Sequence, residues 1–223
     1  MFKINPMPAP LDEALLAVLR QVDAVKIGHF IDHGAMEPHM VSLLPRTVAV
    51  GNAVTVRAPG ADGTIIPLAV SRIRPGDFLI VDRAGDMRHA AWGGMLAYAA
   101  KLAGAVGIAI DGVICDVAKL RDHGLPTWFR GASALTTQRL GQAGELNTPV
   151  QCGGVDVAPG DVVIADESGV IVMKRDEAAA LAEKALGVIR GEPATKARVD
   201  AGEKLADIRD TLGFIRSRGF DVA

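Results

Sequence analysis

Apolar side chains recur at helical spacing through residues 11–22 (LDEALLAVLRQV), just after Pro8 and Pro10, and predict an opening helix. Residues 28–45 mix Gly, His, Pro and Met without a period and read as loop with short helical or strand pieces. The β-branched run TVAVGNAVTVR over residues 47–57 predicts strands, with Gly51 marking a bend or bulge. Two segments then repeat each other. Pro75-Gly76-Asp77 feeds FLIVD and Pro159-Gly160-Asp161 feeds VVIAD, each a turn leading into a short apolar strand that stops on an acid.

Between these copies an alanine-rich run over residues 90–102 predicts a helix, and Gly104 to Gly112 a buried strand after a glycine stop. A further strand is expected over residues 126–130, and two charged helices over 176–190 and 194–212, placed to cover the domain or to reach a neighbouring subunit. Helices and strands alternate, which gives an α/β class. The chain of 223 residues, 49% hydrophobic and 22% charged, is expected to form one domain over residues 1–223, with a core of about 10–175 and C-terminal helices over about 176–215.

Composition narrows the partners. With 24 basic and 26 acidic residues there is no electrostatic footprint for nucleic acid or an anionic membrane. Cys115 and Cys152 are too few and too far apart for a disulfide framework, and read as buried or half-buried thiols of a reducing compartment. The N-terminal residues lack a signal-peptide core, and the apolar stretch over 97–110 is short and broken by Lys101 and glycines, so a cytoplasmic location without membrane association is expected.

The candidate chemistry lies in Trp92-Gly93-Gly94-Met95-Leu96 and in Asp111-Gly112-Val113-Ile114-Cys115-Asp116. A glycine pair opening a helix leaves backbone N–H groups unobstructed where the helix dipole favours an anion. An acid just after a buried strand is placed to hold a hard divalent cation at the same rim. Cradle and cation together suit an α-keto acid, although tight packing explains the glycines equally well and a helix cap explains Asp116. His29, His33 and His39 carry no H-E-x-x-H context and read as polar loop residues.

In order along the chain, Gly51-Asn52-Ala53-Val54-Thr55-Val56, the first Pro-Gly-Asp strand, Gly93-Gly94-Met95-Leu96, Asp111-Gly112 to Asp116, Pro126, Arg130-Gly131 and the second Pro-Gly-Asp strand ending Asp166-Glu167-Ser168-Gly169-Val170 resemble the RraA-like family. That family holds the class II 4-hydroxy-4-methyl-2-oxoglutarate/4-carboxy-4-hydroxy-2-oxoadipate aldolases and the regulators of ribonuclease E. The resemblance implies a swivelling β/β/α sandwich with helical N- and C-terminal extensions, assembled as a homotrimer or a hexamer of two trimers with sites between subunits. It also implies Mg²⁺ or Mn²⁺ on Asp116, and a small carboxylic-acid substrate held by Gly93, Gly94, Met95 and Leu96 with position 115 beside it.

Where the aldolases have an acid and an arginine, this chain has Gly94 and Cys115. A thiol cannot replace a guanidinium as a bidentate carboxylate donor. Arg88 and His89, just ahead of the glycines, are candidate replacements, one for charge and one for proton transfer, with Arg83 a further candidate for the charge. Glu192, in Glu192-Pro193-Ala194-Thr195-Lys196-Ala197-Arg198, resembles the acid that the aldolases offer across a subunit interface. Some relatives are labelled menaquinone methyltransferases, but no glycine-rich strand-to-helix loop followed by a ribose-binding acid is present. The expected function is a metal-dependent carbon–carbon lyase of aldolase or oxo-acid decarboxylase type; the alternative is a non-catalytic regulator or binding protein.

Overall fold

The structure is a computed structural model and describes residues 1–221. A short strand, β1 (Phe2–Ile4), precedes the helical N-terminal segment. The apolar periodicity expected over residues 11–22 becomes α1 (Glu13–Leu19), which Asp12 starts by accepting the Ala14 N–H at 2.7 Å. A second helix, α2 (Ala24–Gly28), follows at once, because Asp23 repeats the capping by accepting the Lys26 N–H at 2.9 Å. Leu16, Leu19 and Ile27 are the buried faces of this pair.

After β2 (Val41–Ser42) comes β3 (Ala49–Arg57), the strand on which the sheet is built. Gly51 does not bend it, contrary to the expectation from sequence. A Cβ there would stand 2.6 Å from Val106 Cγ2 and 2.7 Å from the Gly76 carbonyl oxygen, so glycine is required by close packing inside a continuous strand. Next come α3 (Ile65–Val70), β4 (Asp77–Asp82), α4 (Gly94–Leu102), β5 (Gly107–Ile114), α5 (Val117–His123) and β6 (Thr127–Ala132). The expected strand ending at Gly112 runs on to Ile114, with a register irregularity between Ile110 and Val113. Strand β7 (Gly144–Leu146) returns to β3, and β8 (Val150–Cys152) and β9 (Val155–Val157) form a separate hairpin.

The two Pro-Gly-Asp units have the same turn. Gly76 has φ 89° and Gly160 φ 90°, a left-handed conformation that needs glycine. Asp77 accepts the Arg74 N–H at 2.9 Å, and Asp161 accepts the Ala158 N–H at 2.8 Å. They launch β4 and β10 (Val162–Asp166), which lie on either side of β3, the first parallel to it and the second antiparallel. Strand β11 (Gly169–Met173) folds back on β10.

Among the described residues the main sheet has nine strands in the order β1-β7-β3-β4-β5-β6-β2, with β10 attached to β3 and β11 to β10. Alternation along the strands separates its two faces. On one face Val54, Val56, Leu79, Val81, Ile108 and Ile110 pack against Ala97 and Ala100 of α4 and Leu120 of α5. On the other, Ala53, Phe78, Ile80, Ala109 and Trp128 pack against Val163 and Cys152. A third cluster joins α1 and α2 to Val162, Ile164 and the start of α6 (Arg175–Asp200).

The C-terminal prediction of two helices separated near residue 193 is corrected. Helix α6 is continuous through Pro193. Residues 190–194 are exposed, so the proline ring sits on the solvent side of the helix, and Ile189, whose carbonyl is left without its N–H donor, is only half-buried. Two short helices, α7 (Leu205–Ile208) and α8 (Thr211–Ser217), follow and contribute no buried residue. Among the described residues no helix is long and apolar enough to cross a membrane.

Candidate functional site

The irregular end of β5 is what assembles the site. Residues 91 and 92 run beside it: the Ala91 N–H reaches the Val113 carbonyl at 3.4 Å, and the Cys115 N–H reaches the Trp92 carbonyl at 2.8 Å. This short pairing places Gly93 and Gly94 directly against Cys115 and Asp116. Asp116 adopts φ 51°, ψ 36°, a left-handed conformation uncommon outside glycine and asparagine. It occupies the cap position of α5 without capping it. Its side chain turns instead to the start of α4, where Oδ2 accepts the Gly94 N–H at 3.1 Å.

Gly93 is required by this approach, and Gly94 leaves room for the Lys119 stem. A Cβ on Gly93 would lie 2.7 Å from Cys115 Sγ and 3.1 Å from Asp116 Oδ2. A Cβ on Gly94 would lie 3.2 Å from both Cβ and Cδ of Lys119. The expected glycine-opened helix start is therefore present, and one of its N–H donors serves the chain's own carboxylate. The next two N–H groups of the helix, on Met95 and Leu96, have no partner among the described residues. Met95 is 78% exposed, and Leu96 leans into the core.

Cys115 is half-buried and its thiol points to the Trp92 carbonyl, with Sγ 3.5 Å from the oxygen. Burial, then the neighbouring Asp116 charge, pushes the thiol above its ordinary range, so it is a neutral wall and not a nucleophile near neutral pH. Lys119 stands one turn beyond Asp116, with Nζ 3.9 Å from Oδ1. Sequence reading passed over this lysine; its signal was the three-residue spacing from Asp116 on a helix.

The structure brings neither Arg88 nor His89 into contact with Asp116. The Asp86 carboxylate collects both: it accepts the N–H of Arg88 at 2.7 Å and of His89 at 3.0 Å, and lies 2.7 Å from His89 Nδ1. Burial raises the Asp86 pKa, but these donors and the Arg83 charge outweigh it and hold the group at about 2. Arg83 is fully buried, donating to the carbonyls of Ala58 and Gly60, and burial pushes its pKa down. It ties loops together and presents no face to a ligand. Glu192 lies inside α6 and pairs with Lys26 at 3.0 Å, a bond that raises the lysine pKa. Within one chain neither touches the Asp116 loop.

His33 lies 3.4 Å from Asp32 and from Glu177, and no group of three metal-type side chains occurs among the described residues. A cleft of about 800 Å³ lies on the opposite face of the sheet from α4 and is not lined by Asp116. Its charges are committed to one another. Arg130 bonds Asp111 and pairs with Glu37 at 2.8 Å, and Asp111 also accepts the Gly153 N–H at 2.7 Å. This network, unforeseen in the sequence, ties β5, β6 and the β8–β9 hairpin together.

Comparison with known proteins agrees with the fold. The family model RraA-like, Aldolase/RraA, matches residues 21–172. A Halalkalibacterium halodurans protein, provisionally named a 4-hydroxy-4-methyl-2-oxoglutarate aldolase, is 32% identical over 136 residues, 61% of this chain and 64% of that one. The chain thus spans less than two thirds of that relative's length. An uncharacterised protein of Methanocaldococcus jannaschii is 30% identical over 71% of this chain and 76% of its own. Among solved structures, Streptomyces coelicolor RraAS2, described as an unusual member of the RNase ES inhibitor RraA protein family, superposes with a TM-score of 0.74 at 26% identity, covering 86% of this chain and 98% of that one. The strand order, the paired Pro-Gly-Asp units and these matches lead to one conclusion: the chain belongs to the Aldolase/RraA family.

Proposed function

We propose that this chain is a divalent-metal-dependent lyase, of aldolase or oxo-acid decarboxylase type, acting in the cytoplasm on a small hydroxy- or keto-acid. The observation that carries the reading is the setting of Asp116 on the opening turn of α4, beside the unpartnered N–H groups of Met95 and Leu96. A carboxylate and open helix-terminal amides on one rim suit a cation and an organic anion held side by side.

Asp116 fits Mg²⁺ or Mn²⁺ in donor chemistry. It offers one hard oxygen, Oδ1, outside hydrogen-bond range of any donor among the described residues, and such cations commonly take one or two carboxylates and fill their shell with water or substrate. A zinc-type cage of three protein ligands does not fit. A bound divalent cation would supply Lewis-acid stabilisation of negative charge developing on the substrate oxygen.

The chain's own groups do the rest. Met95 and Leu96 N–H bind and orient the substrate carboxylate, Gly93 and Gly94 keep the approach open, and Cys115 forms an uncharged wall. In retro-aldol cleavage the substrate hydroxyl gives its proton to a carboxylate, its carbon becomes a carbonyl as the carbon–carbon bond breaks, and the freed electron pair becomes the enolate, which takes the proton back at carbon. Glu192 of a neighbouring copy, in a homotrimer or hexamer, is the proposed carboxylate for both transfers. The exposed Met95, Tyr98 and Leu102 on α4 favour cover by such a copy. His89 takes no part, since Asp86 holds its ring and backbone, while Arg88 is tied to Asp86 through its backbone N–H alone.

A second reading, a non-catalytic regulator or binding protein, is favoured by Gly94 and Cys115 standing where aldolases have acid and arginine. Assay of oxaloacetate decarboxylation and of a panel of 4-hydroxy-2-oxo acids with Mg²⁺ or Mn²⁺ separates the two. Turnover that disappears in Asp116→Ala supports the lyase; no turnover on any substrate supports the regulator.

A further inference from the structure

Lys119 and Gly94 are complementary in shape. The lysine stem occupies the space in front of Gly94, with Cβ and Cδ each 3.2 Å from where a side chain at position 94 would begin. Any larger residue at 94 would push this stem aside. Lys119 lies in the first turn of α5, three positions after its cap residue Asp116. Its Nζ is 3.9 Å from Asp116 Oδ1, near enough for attraction but beyond hydrogen-bond distance. The side chain is 70% exposed, so the ammonium reaches solvent on the same rim as the Met95 and Leu96 amides.

We infer that Lys119 is the carboxylate-binding cation of this site, in the place left by Cys115, and that the absence of a side chain on Gly94 is what admits it. The inference rests on the lyase reading for the identity of the ligand, a 2-oxo monocarboxylate. An ammonium on a flexible stem binds such a group as a point charge, while the two helix amides fix its orientation. The same position beside Asp116 makes Lys119 a competitor of any cation that the carboxylate binds.

Two opposite effects follow from removing the charge. Calorimetric titration of the full chain with pyruvate at saturating Mg²⁺ is expected to give binding about tenfold or more weaker in Lys119→Ala, with Lys119→Arg close to the native chain. Titration with Mn²⁺ alone is expected to give tighter binding in Lys119→Ala. A merely solvated lysine would move neither. Equal pyruvate affinity in the native chain and Lys119→Ala overturns the inference, as does a native chain that binds no pyruvate. Turnover is read separately: a chain that binds pyruvate through Lys119 yet cleaves nothing keeps this assignment and loses the lyase reading.

Discussion

Gly94 donates its N–H to Asp116 across 3.1 Å, so the first open donor of α4 is satisfied by an acid of the same chain. Asp116 reaches it with a left-handed backbone and because Gly93 carries no Cβ. The carboxylate is thereby aimed away from its own helix and held at the mouth of another. A carboxylate oxygen without a hydrogen-bond donor and the unpartnered amides of a helix end come to share one rim, and positions 94, 115 and 119 decide what charge surrounds them.

Restoring the aldolase pattern tests that arrangement directly. In Gly94→Asp with Cys115→Arg, the carboxylate introduced at position 94 begins the helix, where the dipole favours it, and its Cβ asks the Lys119 side chain to give by a few tenths of an ångström. The double variant is expected to fold and to raise kcat/KM for 4-hydroxy-4-methyl-2-oxoglutarate by about tenfold or more through the regained bidentate donor. Steady-state kinetics of both single variants and the double one is the measurement, and a folded double variant without gain would separate these positions from the chemistry.

Asp86 gives the loop ahead of the site a pH dependence. Its pKa is held at about 2 against an ordinary value near 3.8, so the unfolded chain takes up its proton first as the solution is acidified. The stability it contributes is fully present above about pH 4 and is lost as pH falls toward 2, an effect on the order of 2 kcal/mol for this largely buried group. Urea unfolding at stepped pH is expected to show a steeper loss over that interval than in Asp86→Asn. Parallel curves would mean that the His89 and Arg88 contacts do not hold the native carboxylate charged.

The block order and the Pro-Gly-Asp turns were legible in the sequence because they follow from backbone requirements: Gly76 and Gly160 need left-handed φ, and the acids after them tie the turn. So was the pairing of Gly93-Gly94 with Asp116, as a likeness between blocks. What could not be read was set by contacts between distant segments. Gly51 looks like a bend until Val106 is seen against it, the His89 ring looks available until Asp86 is seen to bind it, and Lys119 matters only because position 94 is empty. Pro193 misled for a different reason, since exposure makes a proline tolerable within a helix.

Arg130 is expected to be worth more to stability than any exposed ion pair. It holds Asp111 on β5 and Glu37 ahead of β2, and its pKa is pushed up mainly by the bond to Asp111. Arg130→Met keeps the bulk but leaves Asp111 short of its cation near the hairpin, at an expected cost of about 3 kcal/mol. Pairing it with Asp111→Asn in a double-mutant cycle checks the origin of that cost. The two losses should fall well short of additive, and simple additivity would contradict the pairing.

Asp116→Asn separates the chemistry of the site from its conformation. Asparagine accepts the left-handed backbone, whereas alanine at φ 51° is expected to lose about 1 kcal/mol before any ligand is considered. The amide oxygen that this substitution supplies can still accept the Gly94 N–H, so the rim should keep its shape while the negative charge is gone. Thermal melts with and without Mn²⁺ are expected to show a rise in Tm for the native chain that grows with cation concentration, as binding to the folded state alone requires. Asp116→Asn should melt near the native temperature without Mn²⁺ and gain nothing from it. A native-sized Mn²⁺ response in this variant would place the cation elsewhere on the chain, and with it the reaction proposed at α4.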